Sequence, residues 1–262
     1  MTTHSSPPVT RVVLLGASNL TISFPLIVRR LRSGLPGRLE TFAALGWGRS
    51  FGNWSRVLFR GLPGTVGCGL WSDLPTPEAS ATELGLITDV GNDLLYGYPV
   101  PQIVQWLETC LARLAERQAR LVLTLIPLGS IEQLSPWRFR LVRKLLYPKN
   151  RMSFDQLLEL SRELNERLIE LGPRFGAHTV VPPPEWYGFD PIHVLRRHRA
   201  AAWERILSGW NVLAPPDPER TRTGWTASRL RRLRPEVRTL FGRVQRRPQP
   251  ALALPDGAVW IY

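Results

Sequence analysis

The sequence predicts an α/β protein built on a parallel sheet, and three observations carry that prediction. Five short apolar runs rich in β-branched residues recur along the chain, amphipathic helical patterns lie between them, and Gly, Ser, Asn or Asp follow several of the runs. Strand, helix, strand in succession implies right-handed crossovers, with the sheet covered on both faces. In such sheets functional groups gather beyond the carboxyl ends of the strands.

The elements follow in order. Arg11 to Leu15 is the first strand, ended by Gly16, and Leu20 to Leu31 is helical in its spacing. Leu39 to Leu45 and Leu84 to Val90 are the next two strands. Between them, Gly61 to Ser80 is Gly/Pro-rich and predicts a surface loop. Pro101 to Gln118 places Ile103, Trp106, Leu107, Cys110, Leu111 and Leu114 on one stripe of a helix. Arg120 to Ile126 is the fourth strand. The segment 135–152 after it combines Trp137, Phe139 and Tyr147 with six basic residues and no acid, which suits a lid or substrate wall near an anionic or amphiphilic donor, or equally an exposed amphipathic connection. Ser153 and Gln156 have capping-box spacing, opening a helix that Gly172-Pro173 should stop. His178 to Val181 is the fifth strand.

Composition bounds the function. The 262 residues, 44% hydrophobic and 21% charged, suffice for one well-filled domain. Two cysteines, Cys68 and Cys110, cannot supply a disulfide framework or a four-ligand zinc site. No apolar run approaches the roughly 20 residues of a membrane span, and the polar start of the chain shows no secretory signal, so a cytoplasmic location is expected. Only Lys144 and Lys149 among the 34 basic residues are lysine. Residues 220–247 hold ten arginines against Glu236, a local charge of +9 out of the chain's +13. The expected organisation is a flexible leader over 1–9, a globular domain over 10–212 and a basic Arg/Pro-rich tail over 213–262. Such a tail can bind the phosphates of RNA or anionic lipid, or it can be a solvated or self-docking face.

Chemistry is sought first at histidine, of which there are four. His4 lies in the leader and His178 begins a strand. His193 and His198 follow Asp190-Pro191, a good N-cap and first helical residue, so His193 should sit on a first helical turn facing Asp190. Asp190 can then hold Nδ1 and leave Nε2 to take a proton. A capped helix with an incidental histidine fits the same spacing. Ser18 falls at the junction of the first strand and the next helix, where it is either an N-cap or a nucleophile facing a helix N-terminus. Gly46-Trp47-Gly48 and Gly91-Asn92-Asp93 fall at the ends of the second and third strands, as turns or as oxyanion donors. Gly48-Arg49-Ser50-Phe51-Gly52 also matches a nucleophile elbow, although it follows only the second strand and lacks a His-Gly-Gly-type oxyanion loop before it.

Taken together, Ser18, Gly48, Asn92 and Asp190-x-x-His193, in that order over about residues 10–212, resemble the SGNH hydrolases, or GDSL esterase/lipase family. The resemblance implies a flavodoxin-like three-layer α/β/α fold on five parallel strands and an acyl-enzyme esterase without cofactor or metal. It implies Ser18 as nucleophile, His193 as base and Asp190 as its orienting acid. The oxyanion hole would be the N–H groups of Ser18 and Gly48 with the Asn92 side chain, Gly46 remaining an alternative to Gly48. The substrate would be a small-molecule ester whose acyl and alcohol parts are open. The chain departs from the family pattern at Ala17, where the family has Asp, and at Val90, where it has Gly. The alternative is a catalytically degenerate member that binds RNA or anionic lipid through its arginine-rich tail.

Overall fold

A computed structural model describes residues 8–134, 137, 152–221 and 225–262. The 135–152 segment, apart from Trp137 and Met152, and His4 lie outside the described residues.

β1 (Val9–Leu15) is central. It pairs in parallel with β2 (Arg38–Ala44) on one side and with β5 (Ala81–Ile87) on the other, in unbroken register. β6 (Arg120–Thr124) and β7 (His178–Val180) extend the sheet beyond β5, also in parallel. These five are the strands expected from the apolar runs. Their spatial order, second, first, third, fourth, fifth, is that of a flavodoxin-like sheet. The chain therefore reverses direction of growth between β1 and β5, which opens a crevice at their carboxyl ends.

Both sheet faces are covered, which is why the strands read as continuous apolar runs. Along β1, Val12 and Leu14 point into a core shared with α1 (Ser18–Gly34) and with a helix further on, Arg199–Ser208, that contributes Trp203 and Ile206. Val13 and Leu15 point the other way, into a core with α2 (Val100–Glu116) and α3 (Phe154–Arg174). The capping box of α3 forms as its spacing predicts: Gln156 N donates to Ser153 Oγ at 3.1 Å and Ser153 N to Gln156 Oε1 at 2.9 Å. The helix runs past the expected stop to Arg174, carrying Pro173 in its last turn at the loss of one N–H donor.

Two expectations need correction. Residues 213–262 do not form a tail. β11 (Gly257–Ile261) joins the open edge of β2 in parallel, and β10 (Leu252–Leu254) pairs antiparallel outside it, giving seven strands instead of five. Val259, Ile261 and Tyr262 are buried, as are Trp225 and Leu230. The arginine content masks this short apolar strand, whose burial also closes an edge that would otherwise invite pairing with another chain. Part of the same segment, β8 (Val237–Leu240) and β9 (Arg243–Arg246), forms a second, four-stranded sheet with β3 (Ser55–Val57) and β4 (Arg60–Leu62). The Gly61 to Ser80 stretch is likewise more than a surface loop, since Leu62, Thr65, Cys68 and Leu70 are buried. Among the described residues no helix is long and apolar enough to cross a membrane.

Candidate active site

Three loops meet at the carboxyl end of the sheet. The first follows β1. Ser18 is the first residue of α1, so its N–H has no carbonyl within the helix to bind. Ala17, not Ser18, occupies the N-cap position and no side chain within this segment caps the helix. That duty passes to Asp89 at the end of β5, whose Oδ2 accepts from Ala17 N at 2.8 Å and Leu20 N at 3.1 Å. Asp89 holds a left-handed backbone, φ +59°, which Asp tolerates better than most residues. Ser18 is thus relieved of the local hydrogen bonding that a serine there usually performs.

The second loop carries Asp190 and His193. It is not the helical turn that the sequence predicts: residues 190–198 are bends and turns, and helix begins only at Arg199. The capping interaction nevertheless forms, with Asp190 Oδ1 accepting from Ile192 N at 3.0 Å and His193 N at 3.2 Å. The helix does not propagate because tertiary partners take the next N–H groups. Val194 N donates to Asn19 Oδ1 at 2.9 Å, and Leu195 N to Trp186 O at 2.8 Å. Asn19 also donates through Nδ2 to Asp89 Oδ1 at 2.8 Å and to Ile192 O at 2.7 Å. One side chain therefore ties the Ser18 loop to the His193 loop.

The other Asp190 oxygen lies 2.6 Å from His193 Nδ1. Burial alone pushes the Asp190 carboxyl up. The hydrogen bond and charge of His193, with the N–H groups of Ile192 and His193, outweigh it and hold the group below the usual carboxylate range. His193 Nε2 is buried without a hydrogen-bond partner among the described residues. It makes no hydrogen bond to Ser18. A buried polar nitrogen left unpaired costs free energy. His193, Ser18, Gly48 and Asn92 line one cavity of about 50 Å³, together with Trp47, Val57 and Ile192. His178 begins β7 and so lies at the opposite end of that strand, and His198 accepts from Arg197 Nε at 3.0 Å.

The third loop follows β2. Gly48 has φ +61°, a conformation that favours glycine. Its carbonyl accepts from Tyr96 Oη at 2.6 Å. Burial, and after it the nearby Asp93 charge, raises the Tyr96 phenol to about 12, so it remains a donor. Arg49 is 1% exposed and anchors the loop to the C-terminal segment through the Tyr262 backbone oxygen, with a further bond to Thr65 Oγ1 at 3.2 Å. Asn92 Nδ2 reaches Arg49 O at 3.4 Å. Gly46, the alternative donor, lines a different cavity.

Ser50, the competing nucleophile, is 1% exposed and fully engaged. Its hydroxyl donates to Asp93 Oδ1 and accepts from Gly52 N at 3.2 Å and Asn53 N at 3.1 Å. Asp93 also accepts from Phe51 N at 2.8 Å, and burial raises its carboxyl to about 6 despite both hydrogen bonds.

Sequence reasoning did not single out Asn19, Asp89, Asp93, Tyr96 or Trp47. Only their positions beside Ser18, Asn92 and Gly48 could have pointed to them. The Trp47 indole, 45% exposed, stands 5.6 Å from the His193 ring, a wall for anything that reaches the imidazole. On the other side of Ser18 lies an apolar cavity of about 90 Å³, lined by residues that include Val90, Leu95, Ile126, Ile131 and Trp186.

No family model matches the chain, and no curated protein matches it in sequence. Among solved structures it is similar to the psychrotrophic esterase EstA from Pseudoalteromonas sp., in a structure inhibited by monoethylphosphonate, at 12% identity and a TM-score of 0.46, covering 77% of this chain and 98% of that one. It is also similar to TesA at 16% identity and a TM-score of 0.44, covering 76% of this chain and 97% of that one.

Proposed function

We propose that this protein is a serine hydrolase that cleaves a carboxylic ester through an acyl-enzyme. One observation carries the reading. His193, held at Nδ1 by Asp190 at 2.6 Å, keeps a buried, unpartnered Nε2 and lines the same cavity as Ser18, a serine exempt from capping its own helix.

In this reading Ser18 Oγ attacks the acyl carbonyl while His193 Nε2 takes its proton and Asp190 stabilises the imidazolium. The N–H groups of Ser18 and Gly48 and the Asn92 amide receive the developing oxyanion, aided by the positive end of α1. His193 then protonates the departing alcohol and activates water for the second half. The apolar cavity beside Ser18 takes the acyl chain, and at about 90 Å³ it suits a short one. The departure at Ala17 is compatible with this chemistry because Asp89 caps the helix from across the sheet.

The test is reaction of the purified protein with a fluorophosphonate, followed by mapping of the modified peptide by mass spectrometry. Modification of Ser18 that disappears in His193→Ala is the expected result. Modification of Ser50 instead, or none on folded protein, would overturn the assignment.

A further inference from the structure

Beside the candidate site lies a larger cavity, of about 230 Å³, that the proposed ester hydrolysis leaves unused. Four arginines line it: Arg60 from β4, Arg231 and Arg234 from the segment after Leu230, and Arg238 from β8. Arg60 and Arg238 are half-buried, whereas Arg231 and Arg234 reach the surface. Phe24, Leu62 and Ile261 form apolar wall, so charge there is poorly screened.

Among the described residues none of the four forms an ion pair, and Arg238 Nε donates to the neutral Gln245 Oε1 at 2.8 Å. Arg11, for comparison, contacts Glu40, Glu78 and Glu83. The nearest acid in sequence, Glu236, directs its carboxylate elsewhere, toward Gly69. The guanidinium groups act on one another: burial, then the charges of Arg238 and Arg234, hold Arg60 below its ordinary value, and burial with Arg234 and Arg247 does the same to Arg238. Folding thus gathers like charges into a concave, partly apolar site without a counter-charge of its own. A multivalent anion would relieve that repulsion, and a planar guanidinium matches phosphate oxygens in pairs.

The site adjoins the reaction centre. Trp47 lines both cavities, and a side chain at Gly46 would meet Arg60 Nη2 at 3.7 Å, two residues from Gly48. On α1, Thr21 lines the arginine cavity one turn after Ser18.

We propose that the arginine cavity is a phosphate-binding subsite and that the ester hydrolysed at Ser18 carries the phosphate. The second half rests on the hydrolase reading. The first half stands on the cavity alone.

The test has two arms on the full chain. In the first, inorganic phosphate is titrated calorimetrically into wild type, the double variant Arg60→Gln/Arg234→Gln, and Arg174→Gln, an exposed arginine on α3. Saturable binding weakened at least about tenfold in the double variant and unchanged in Arg174→Gln is expected. No saturable binding to wild type, or equal loss in Arg174→Gln, overturns the site without requiring any variant of the cavity to fold. In the second arm, acetylglycerol 3-phosphate and acetylglycerol are compared as substrates. A kcat/KM ratio of about tenfold or more in favour of the phosphorylated ester, collapsing in the double variant, is expected. Equal turnover by wild type overturns the substrate assignment. Phosphate binding at the cavity with neither ester hydrolysed would keep the site and count against the hydrolase reading instead.

Discussion

Two serines stand beyond neighbouring strands at the same edge of the sheet, and their surroundings differ in one respect. Around Ser50, the turn N–H groups of Gly52 and Asn53 bind the serine hydroxyl, and that hydroxyl is further committed to Asp93. Around Ser18, the N–H groups at the start of α1 are met by Asp89 from across the sheet, and the hydroxyl is spared. The comparison teaches that a serine becomes available for chemistry when another residue takes over its structural duty. Motif spacing alone cannot distinguish the two, because both lie in a Gly-containing turn after a strand.

The largest expected effect tests the contrast directly. Ser18→Ala should lower kcat by about 10⁴–10⁶ while leaving the melting temperature near wild type, measured by ester hydrolysis and thermal denaturation on the same sample. A loss within a few-fold would remove Ser18 from the mechanism. Asn92→Ala should lower kcat by about 10²–10³ through the missing oxyanion donor, with little change in KM.

Asp89→Ala would make Ser18 resemble Ser50. With its cross-sheet cap gone, α1 should draw on the Ser18 hydroxyl, so fluorophosphonate labelling should slow along with kcat. Stability should fall by about 1–2 kcal/mol, the worth of a lost cap, read by urea unfolding. Unchanged labelling would show that capping by Asp89 does not govern Ser18.

Ser50→Ala gives the smallest change, and it appears in pH dependence. Asp93 titrates in the folded protein at about 6, above the ordinary carboxylate value, so the native state binds the extra proton between roughly pH 4 and 6. Its contribution to stability is therefore full below about pH 4 and lost as pH rises through 6. Removing the Ser50 donor takes support from the charged form, so the stability deficit of Ser50→Ala should be larger at pH 8 than at pH 4, by about 1 kcal/mol. A deficit independent of pH would mean that the Ser50 bond does not reach the ionised carboxylate.

Much of this molecule was legible along the chain. The runs at Arg11 to Leu15 and Arg120 to Ile126 announced strands buried on both faces, and the Ser153/Gln156 capping box formed at the start of α3. The residues of the cavity shared by Ser18, Gly48, Asn92 and His193 were also marked, since Gly, Asn and Asp-x-x-His at strand ends are local patterns. The helix expected to open at Pro191, with His193 on its first turn, begins only at Arg199. Its capping signal at Asp190 was real, but Asn19 and Trp186, both distant in sequence, captured the N–H groups that helix growth would have needed.

What the sequence determined by itself is whatever depends on neighbours a few residues away: strand and helix periods, caps, and the types of group offered at each strand end. The tertiary structure decided which of those groups are free. It alone assigned Asp89 to cap α1, made Asn19 the link between two loops 173 residues apart, and brought Arg60 beside Arg234 and Arg238. It also turned the end of the chain, beyond the arginine-rich stretch, into two strands of the central sheet. Hydrogen bonds and charges act through space, and only the closed fold sets which partners stand within their few ångströms of reach.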